Sequence, residues 1–473
     1  MKAPLFIISF LMVVVTTTHA QMPEHIKGTW HGKIRVGFDL HLTVHFFTDS
    51  LGRDTVSLDS PDQGVKNIPG HAFRLSGDSI WFQMDKSARY AGRFKNDTTI
   101  SGVWMQGGNY TLELKKGAPD DLADHPQTPR PPFPYRSEEV EYDGVKTKLH
   151  YGATITVPPG KGPFPALVLI TGSGAQDRDE TLLGHKTFAV LADHLTRNGF
   201  VVLRVDDRGV GKSTGDFGAS TSADFADDTN EAVDWLLHRP EADKKRIGLA
   251  GHSEGGMIAP IVASRRKDIA FVVLLAGPGV PIIDLMATQQ AEIAQSNGVR
   301  PAAADSFTAF YKRAIPLIVS IDDKEQARQR FADTLDAWLA VTPKNVVFPN
   351  TGIYNDTSKK AFINTMVRAL HTPWFRYFMQ FNPQPYLMRL HCKVLALNGS
   401  RDIQVASRQN LDGIAASLKK SKSPYYETKE LPGLNHLFQT CRKCTLQEYG
   451  ELTETFSPAA LTVISDWLKK NIQ

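Results

Sequence analysis

Cysteine is scarce in this chain: Cys392, Cys441 and Cys444 are the 3 among 473 residues. A tetrahedral all-cysteine zinc site needs four ligands. No histidine pair at ligand spacing accompanies Cys441-Arg-Lys-Cys444, so no metal is expected. A thioredoxin-type redox pair would open a helix after a first strand, whereas this one follows a late loop. It reads as a structural or incidental pair, able to close a small disulfide loop in an oxidising compartment. An excess of one charge is also missing. Lys and Arg total 54 against 50 Asp and Glu, a net +4 that gives no reason to expect nucleic acid as a partner. No segment after the first twenty residues is apolar and long enough to cross a bilayer, so stable membrane insertion is not expected.

The apolar run Leu5 to Val15 follows Lys2 and precedes Thr18-His19-Ala20, a small-residue cleavage site before Gln21. That is the pattern of a secretory signal peptide over residues 1–20, and no cysteine follows it to take a lipid. The expectation is an exported protein, periplasmic or secreted.

The length requires more than one core. Residues 21–117 alternate short aromatic and β-branched runs, such as Leu40 to Phe46, Ser79 to Phe82 and Thr99 to Trp104, with polar turns. They predict a small antiparallel all-β domain, a sandwich or a lipocalin-like barrel. Its histidines His25, His31, His41 and His45 sit on alternating strands without a metal pattern. Residues 118–139 carry Pro126, Pro129, Pro131, Pro132 and Pro134 among charges and read as an extended linker. From 140 to 473 continuous apolar strands (Ala166 to Ile170, Phe200 to Val205, Ile247 to Ala250, Phe271 to Leu275, Val394 to Leu397) alternate with helices such as 188–198 and 225–237. This α/β pattern means a parallel sheet covered on both faces. Between 280 and 389 the alternation gives way to helical segments, including 282–296, 302–319 and 324–340. Their place between two late strands suits a lid over the sheet's C-terminal edge.

Chemistry concentrates at Gly251-His-Ser-Glu-Gly255, which follows an apolar strand and opens a helix. Strand, tight turn and helix is the context in which Gly-x-Ser-x-Gly exposes a nucleophilic serine, here Ser253. A serine hydroxyl needs an imidazole to take its proton, and the imidazole needs an acid to fix its tautomer. Asp402, in the turn after Val394 to Leu397, and His436, after the strand-like 425–431, fall in the order Ser, Asp, His. His391 precedes the strand, and Asp206 and Asp207 come too early to serve. Backbone donors for an oxyanion are expected at Glu254, the residue after the nucleophile, and at Ser173 or Gly174 in the glycine-rich turn after Ile170. Gly209-Val-Gly-Lys-Ser213 only mimics a phosphate-binding loop: Asp206 stands where that pattern needs glycine, and no helix follows at once. No cofactor is expected.

Gly251 to Gly255, Asp206 to Gly215, Gly172 to Asp179 and Leu434 to Gln439 together resemble exported bacterial α/β-hydrolases described as carboxylesterases or S33-type serine aminopeptidases, some with an N-terminal β-domain. The resemblance covers most of 140–473. It implies an α/β-hydrolase fold and Ser253, Asp402 and His436 as the triad, while leaving the substrate open. The expected function is a serine carboxylesterase cleaving small or medium acyl esters through an acyl-enzyme, its partner a small-molecule ester. An S33-like aminopeptidase is the alternative, with Asp322, Asp323 and Glu325 as candidates to hold a free amine. A surface protein binding glycan or protein through Trp30, Trp81 and Trp104 is another. The sequence carries nothing on oligomeric state.

Overall fold

The computed structural model describes residues 22–35, 39–60, 65–85, 88–117 and 125–473. The leader expected over 1–20 and the stretch 118–124 of the expected linker lie outside them. The chain forms two compact units, one from the described parts of 1–33, 43–58 and 67–118, the other from those of 34–42, 59–66 and 119–473.

The alternating N-terminal runs form nine strands: β1 (Gly28–Arg35), β2 (Asp39–Thr48), β3 (Asp54–Ser60), β4 (Val65–Pro69), β5 (Ala72–Ser76), β6 (Ser79–Gln83), β7 (Arg89–Asn96), β8 (Thr99–Met105) and β9 (Asn109–Lys116). They form one antiparallel sheet in the order β4-β3-β2-β1-β9-β8-β7-β6-β5. The sheet curls on itself, since Phe46 of β2 packs 5.7 Å from the rings of both Phe73 and Phe82. A single curled sheet is the barrel-like form of the expected domain rather than a two-layer sandwich. Trp30 and Trp104 are core residues, and their indole N–H groups donate to Ile26 O (2.8 Å) and Gln106 Oε1 (3.0 Å). Of the three tryptophans weighed as a ligand platform, Trp81 alone is half-buried, with the Arg74 guanidinium 5.4 Å from its ring.

The second unit is built on an eight-stranded sheet: β10 (Arg136–Asp143), β11 (His150–Val157), β12 (Phe164–Ile170), β15 (Val201–Val205), β16 (Ala242–His252), β17 (Ile269–Leu275), β18 (Lys393–Gly399) and β19 (Tyr426–Leu431), with β13 (Thr181–Leu182) and β14 (His185–Lys186) forming a separate small pair. The order is β10-β11-β15-β12-β16-β17-β18-β19, with β10 and β11 antiparallel and β15 through β19 parallel. Both faces are covered, as the continuous apolar strands require. Along β12, Ala166, Val168 and Ile170 join the core under α2 (Ser222–Leu237) and α3 (Gly255–Ala263). Leu167 and Leu169 join the opposite core with α1 (Thr187–Arg197) and the last helix, α12 (Pro458–Ile472). This is the α/β-hydrolase fold.

Helix α2 begins earlier than its apolar periodicity indicates. Asp224 reaches back to the Thr221 amide (2.8 Å) and Thr221 Oγ1 (2.7 Å), and this capping box recruits a polar first turn. Between β17 and β18 lie α4 (Ile282–Ser296), α5 (Pro301–Ser320), α6 (Lys324–Val341), α7 (Lys344–Thr351), α8 (Asp356–Leu370), α9 (Pro373–Gln380) and α10 (Gln384–Leu387). α4, α5 and α6 match the expected segments, and α8 is a fourth long helix, at 15 residues equal to α4. The short ones have too few turns, and in α7 an internal Pro349, to show a clear period. After these comes α11 (Ser407–Leu418).

The proline-rich stretch is tied to the second unit at particular residues, although Arg130, Pro131, Pro132 and Pro134 are exposed. β10 starts at Arg136, inside the expected linker, and Gln127 is bonded to the backbone ahead of α12. Its Oε1 accepts from the amides of Thr455 (2.6 Å) and Phe456 (3.1 Å), and its Nε2 donates to Phe456 O (2.7 Å). Thr455 and Phe456 are buried, so Gln127→Ala strands two amides without acceptors. It should cost about 1–3 kcal/mol of stability, read as a lower Tm by calorimetry; an unchanged Tm would show that the strap is dispensable.

Candidate active site

The parallel strands bring their C-terminal ends together where β12 lies between β15 and β16, the crevice at which strand order reverses. β16 ends at His252 and α3 begins at Gly255, leaving Ser253 and Glu254 to make the turn. Ser253 has φ +51°, a left-handed conformation rare for a residue with a Cβ, and its amide donates to Leu275 O at 2.8 Å. The flanking glycines are steric requirements. A Cβ on Gly251 would sit 2.0 Å from Gly255 O, and one on Gly255 would sit 2.1 Å from Ile170 O.

Asp402 follows β18 and His436 follows β19, and both are buried. His436 Nδ1 lies 2.8 Å from Asp402 Oδ2, while Asp402 Oδ1 accepts from the amides of Gln404 (2.8 Å) and Val405 (2.9 Å). Those two amides hold the carboxylate so that its other oxygen is left to the imidazole. Ser253 and His436 line one cavity of about 240 Å³, whose wall includes Ser173, Glu254, Leu285, Met286, Trp374, Phe375 and Phe378. The expected triad and two of the expected oxyanion donors therefore come together. Among the described residues the amides of Ser173 and Glu254 donate to no protein acceptor, whereas that of Gly172 is bonded to Glu180 Oε1 at 2.7 Å. Gly174, at φ +101°, is not among the residues lining the cavity.

The candidate amine-binding acids are not brought here. Asp322 pairs with Arg376, Asp323 caps α6 by accepting from the Gln326 amide (2.7 Å), and Glu325 pairs with Arg328 (3.1 Å).

Several residues at the site carried no readable signal. The Glu254 side chain is buried against the cavity and accepts from Ser222 Oγ (2.6 Å) and Trp374 Nε1 (2.9 Å). Burial holds its carboxyl above the usual range, against the bonds from Ser222, Trp374 and Ser173 that favour the ionised form. Asp207 bonds Thr171 Oγ1 (2.7 Å) and the Gln176 amide (2.9 Å), and burial, reinforced by the nearby Glu254 and Glu180, pushes it up as well. His252 and Glu180 form a buried pair, Nδ1 to Oε1 at 2.9 Å. Glu180 and His252 stand inside motifs already noted or beside them, but Trp374 comes from α9, far along the chain, and no local pattern marks it. Cys441 and Cys444 are joined as a disulfide, and the loop it closes wraps the Glu448 carboxylate, which accepts from the amides of Arg442 (3.2 Å), Lys443 (2.8 Å) and Cys444 (2.6 Å).

An α/β-hydrolase with a serine at the elbow and a paired aspartate and histidine facing it is the class that fold and site define. A family model, that of the X-Pro dipeptidyl-peptidases (S15 family), matches residues 143–416. The chain belongs to that family. The match takes in Ser253 and Asp402 and ends before His436. The S33-type group that the motifs resemble is a differently named set, and the common ground is the hydrolase fold. Esterase EstD of Thermotoga maritima is 34% identical over 158 residues, 33% of this chain and 36% of that protein. The mouse acyl-coenzyme A thioesterase 3 is 32% identical over 127 residues, 26% of each. The chain thus spans about a third or less of the length of these relatives. A solved esterase from Pyrococcus furiosus aligns with TM-score 0.43 at 15% identity, covering 76% of this chain and all (100%) of that one. Among the described residues no helix is long and apolar enough to cross a membrane.

The raised Glu254 carboxyl gives a pH signature. With its folded value above its unfolded one, it contributes stability that is fully present below the unfolded value near 4.5 and lost as pH rises through the folded value. Glu254→Gln keeps the acceptor for Ser222 and Trp374 but cannot ionise. The Tm of the variant should gain on that of wild type as pH climbs from 4 to 8; parallel Tm curves would contradict a buried, reluctant acid.

Proposed function

We propose that this chain is a serine carboxylesterase that hydrolyses small or medium acyl esters through an acyl-enzyme. The observation that carries the reading is the pairing of His436 with Asp402 in the cavity that a left-handed Ser253 lines. Asp402 holds the proton on His436 Nδ1, which leaves Nε2 basic and free to take the Ser253 proton and later return it to the leaving alcohol. Attack by Oγ on the ester carbonyl forms a tetrahedral oxyanion, which the Ser173 and Glu254 amides are placed to receive. Collapse expels the alcohol, and water activated by the same imidazole frees the acid.

The size and lining of the cavity support a short acyl chain. Its volume of about 240 Å³ is below the ~300–1,000 Å³ of ordinary ligand pockets, and Leu285, Met286, Phe375 and Phe378 offer apolar wall. Likeness to EstD, named an esterase, supports the same bond type. Membership of the S15 family supports a second reading, cleavage of a peptide after proline. Glu180 and Glu254 line the cavity with their protein donors on Oε1, and Glu180 Oε2, which has no hydrogen-bond partner among the described residues, is the atom this second reading would aim at a substrate ammonium. We also propose that residues 1–20 direct export, which the Cys441–Cys444 disulfide supports. In this reading the N-terminal β-domain is an accessory module, and residues 280–389 act as the lid.

The test is turnover of p-nitrophenyl esters from acetate to decanoate beside alanine and alanyl-prolyl p-nitroanilides. Ester cleavage peaking at short chains, with kcat falling by about 10³-fold or more in Ser253→Ala and in His436→Ala, is the expected outcome. Turnover of the prolyl anilide with no ester cleavage would move the assignment to peptidase.

A further inference from the structure

His252, the residue before the elbow serine, lies almost wholly inside the protein with an acceptor on each ring nitrogen. Glu180 Oε1 is 2.9 Å from Nδ1, and the backbone carbonyl of His436 is 3.0 Å from Nε2. A neutral imidazole has one N–H and one lone pair, so either tautomer would point a lone pair at an oxygen. Only the imidazolium satisfies both. Glu180 Oε1 also accepts from the Gly172 amide at 2.7 Å, as an ionised carboxylate can. The charged groups facing the ring come from three loops: Glu180 after β12, Asp402 after β18, and the His436 ring itself, 4.9 Å away between centroids, after β19. Phe438 closes the remaining edge at 6.4 Å. Burial lowers the affinity of His252 for its second proton, but Glu180, with the His436 carbonyl and Asp402, outweighs it and leaves a net upward shift.

The arrangement is costly to build. Glu180 sits at φ +50°, and its Oε2 is buried without a hydrogen-bond partner among the described residues. What it achieves is registration. One carboxylate oxygen ties the segment carrying Ser173 to the histidine beside Ser253, and that histidine ties on to the backbone of His436.

We propose that Glu180 and His252 form a fixed buried ion pair that positions the oxyanion segment, the elbow and the His436 loop relative to one another, making both positioning residues for the reaction. The proposal rests on the serine-hydrolase reading above. It separates from a simple packing role through the direction of each ring nitrogen. Asparagine at 252 keeps a donor toward Glu180 but cannot reach the His436 carbonyl, whereas glutamine can extend its donor to the Nε2 side.

The experiment measures kcat and KM for p-nitrophenyl butyrate, and the rate of fluorophosphonate labelling of Ser253, from pH 5 to 10 on the full chain. Wild type, Ser253→Ala, H252N, H252Q and E180Q are compared. H252N should lose about 10–100-fold in kcat with KM within about 3-fold, and H252Q should recover most of the loss. In E180Q the histidine gives up its second proton at lower pH, so an alkaline limb should enter a range where wild type is flat. Should a variant misfold, ¹⁵N-histidine NMR of the wild-type protein decides. Two ring protons on His252 persisting at pH 8.5 support the proposal, and loss of one near pH 6.5 overturns it. Wild-type kcat and pH profile in H252N and E180Q also overturn it, leaving the nucleophile reading intact if Ser253 still labels. Absence of label on wild-type Ser253 removes the nucleophile reading, and the positioning role with it.

Discussion

Everything in the second unit turns on how closely the start of α3 approaches the end of β12. Gly255 lies so near the Ile170 carbonyl that no Cβ fits between them, and Gly251 meets Gly255 O in the same way. Those two contacts compress the chain after β16 into a turn that ordinary backbone cannot make. Ser253 takes the left-handed conformation that results. Strain at this point is offset by the large apolar cores on both faces of the sheet, which fix β12, β16 and α3 independently of the turn. The side chain that cannot relax is therefore also the one lifted clear of the sheet edge. From there β17 anchors its amide, and the loops after β18 and β19 bring the paired Asp402 and His436 to that same edge.

Electrostatics at that edge run against ordinary expectation. Glu180, Asp402 and Glu254 are all buried within the same small region, with Asp207 beside them, where like charges repel and desolvation disfavours ionisation. The protein resolves this by giving each carboxyl a different set of partners. Asp402 receives two backbone amides and the His436 imidazole. Glu180 receives the Gly172 amide and the His252 ring. Glu254 and Asp207 receive mainly neutral donors and are shifted toward the protonated form. The two carboxyls without an imidazole partner are thus the two that burial pushes toward the neutral acid. In the proposed reaction, an oxyanion at the Ser173 and Glu254 amides would otherwise meet a fully ionised Glu254 side chain.

The fold was legible where the sequence repeats a short physical rule. Apolar strand runs announced the parallel sheet, and alternation announced the N-terminal strands. Gly251-His-Ser-Glu-Gly255 announced the elbow because each glycine there answers a steric demand local to the motif. Asp402 and His436 could be found because each ends a strand in the required order. The legible part stops where contacts join distant segments. Nothing near Trp374 marks it as the donor to Glu254, 120 residues earlier in the chain. Gln127 looked like part of a loose linker because prolines dominate its neighbours, yet its amide group closes the backbone of Thr455 and Phe456. His252 was in plain sight inside the motif, but its role depends on Glu180 and on a carbonyl 184 positions further on.

The same division explains why specificity is harder to read than chemistry. Residues that perform proton transfer must sit at strand ends, because only a rigid edge holds them to hydrogen-bond precision. Residues that form the apolar wall of the cavity have no such requirement, and here they come largely from α4 and α9, helices in the insertion between β17 and β18. Trp374 links the two kinds. Its ring stacks on Phe378 (4.9 Å between centroids) in the apolar wall, while its N–H bonds Glu254, the residue after Ser253. The wall is thereby fastened to the elbow rather than merely resting over it, so a change in the insertion reaches the reacting centre through one indole.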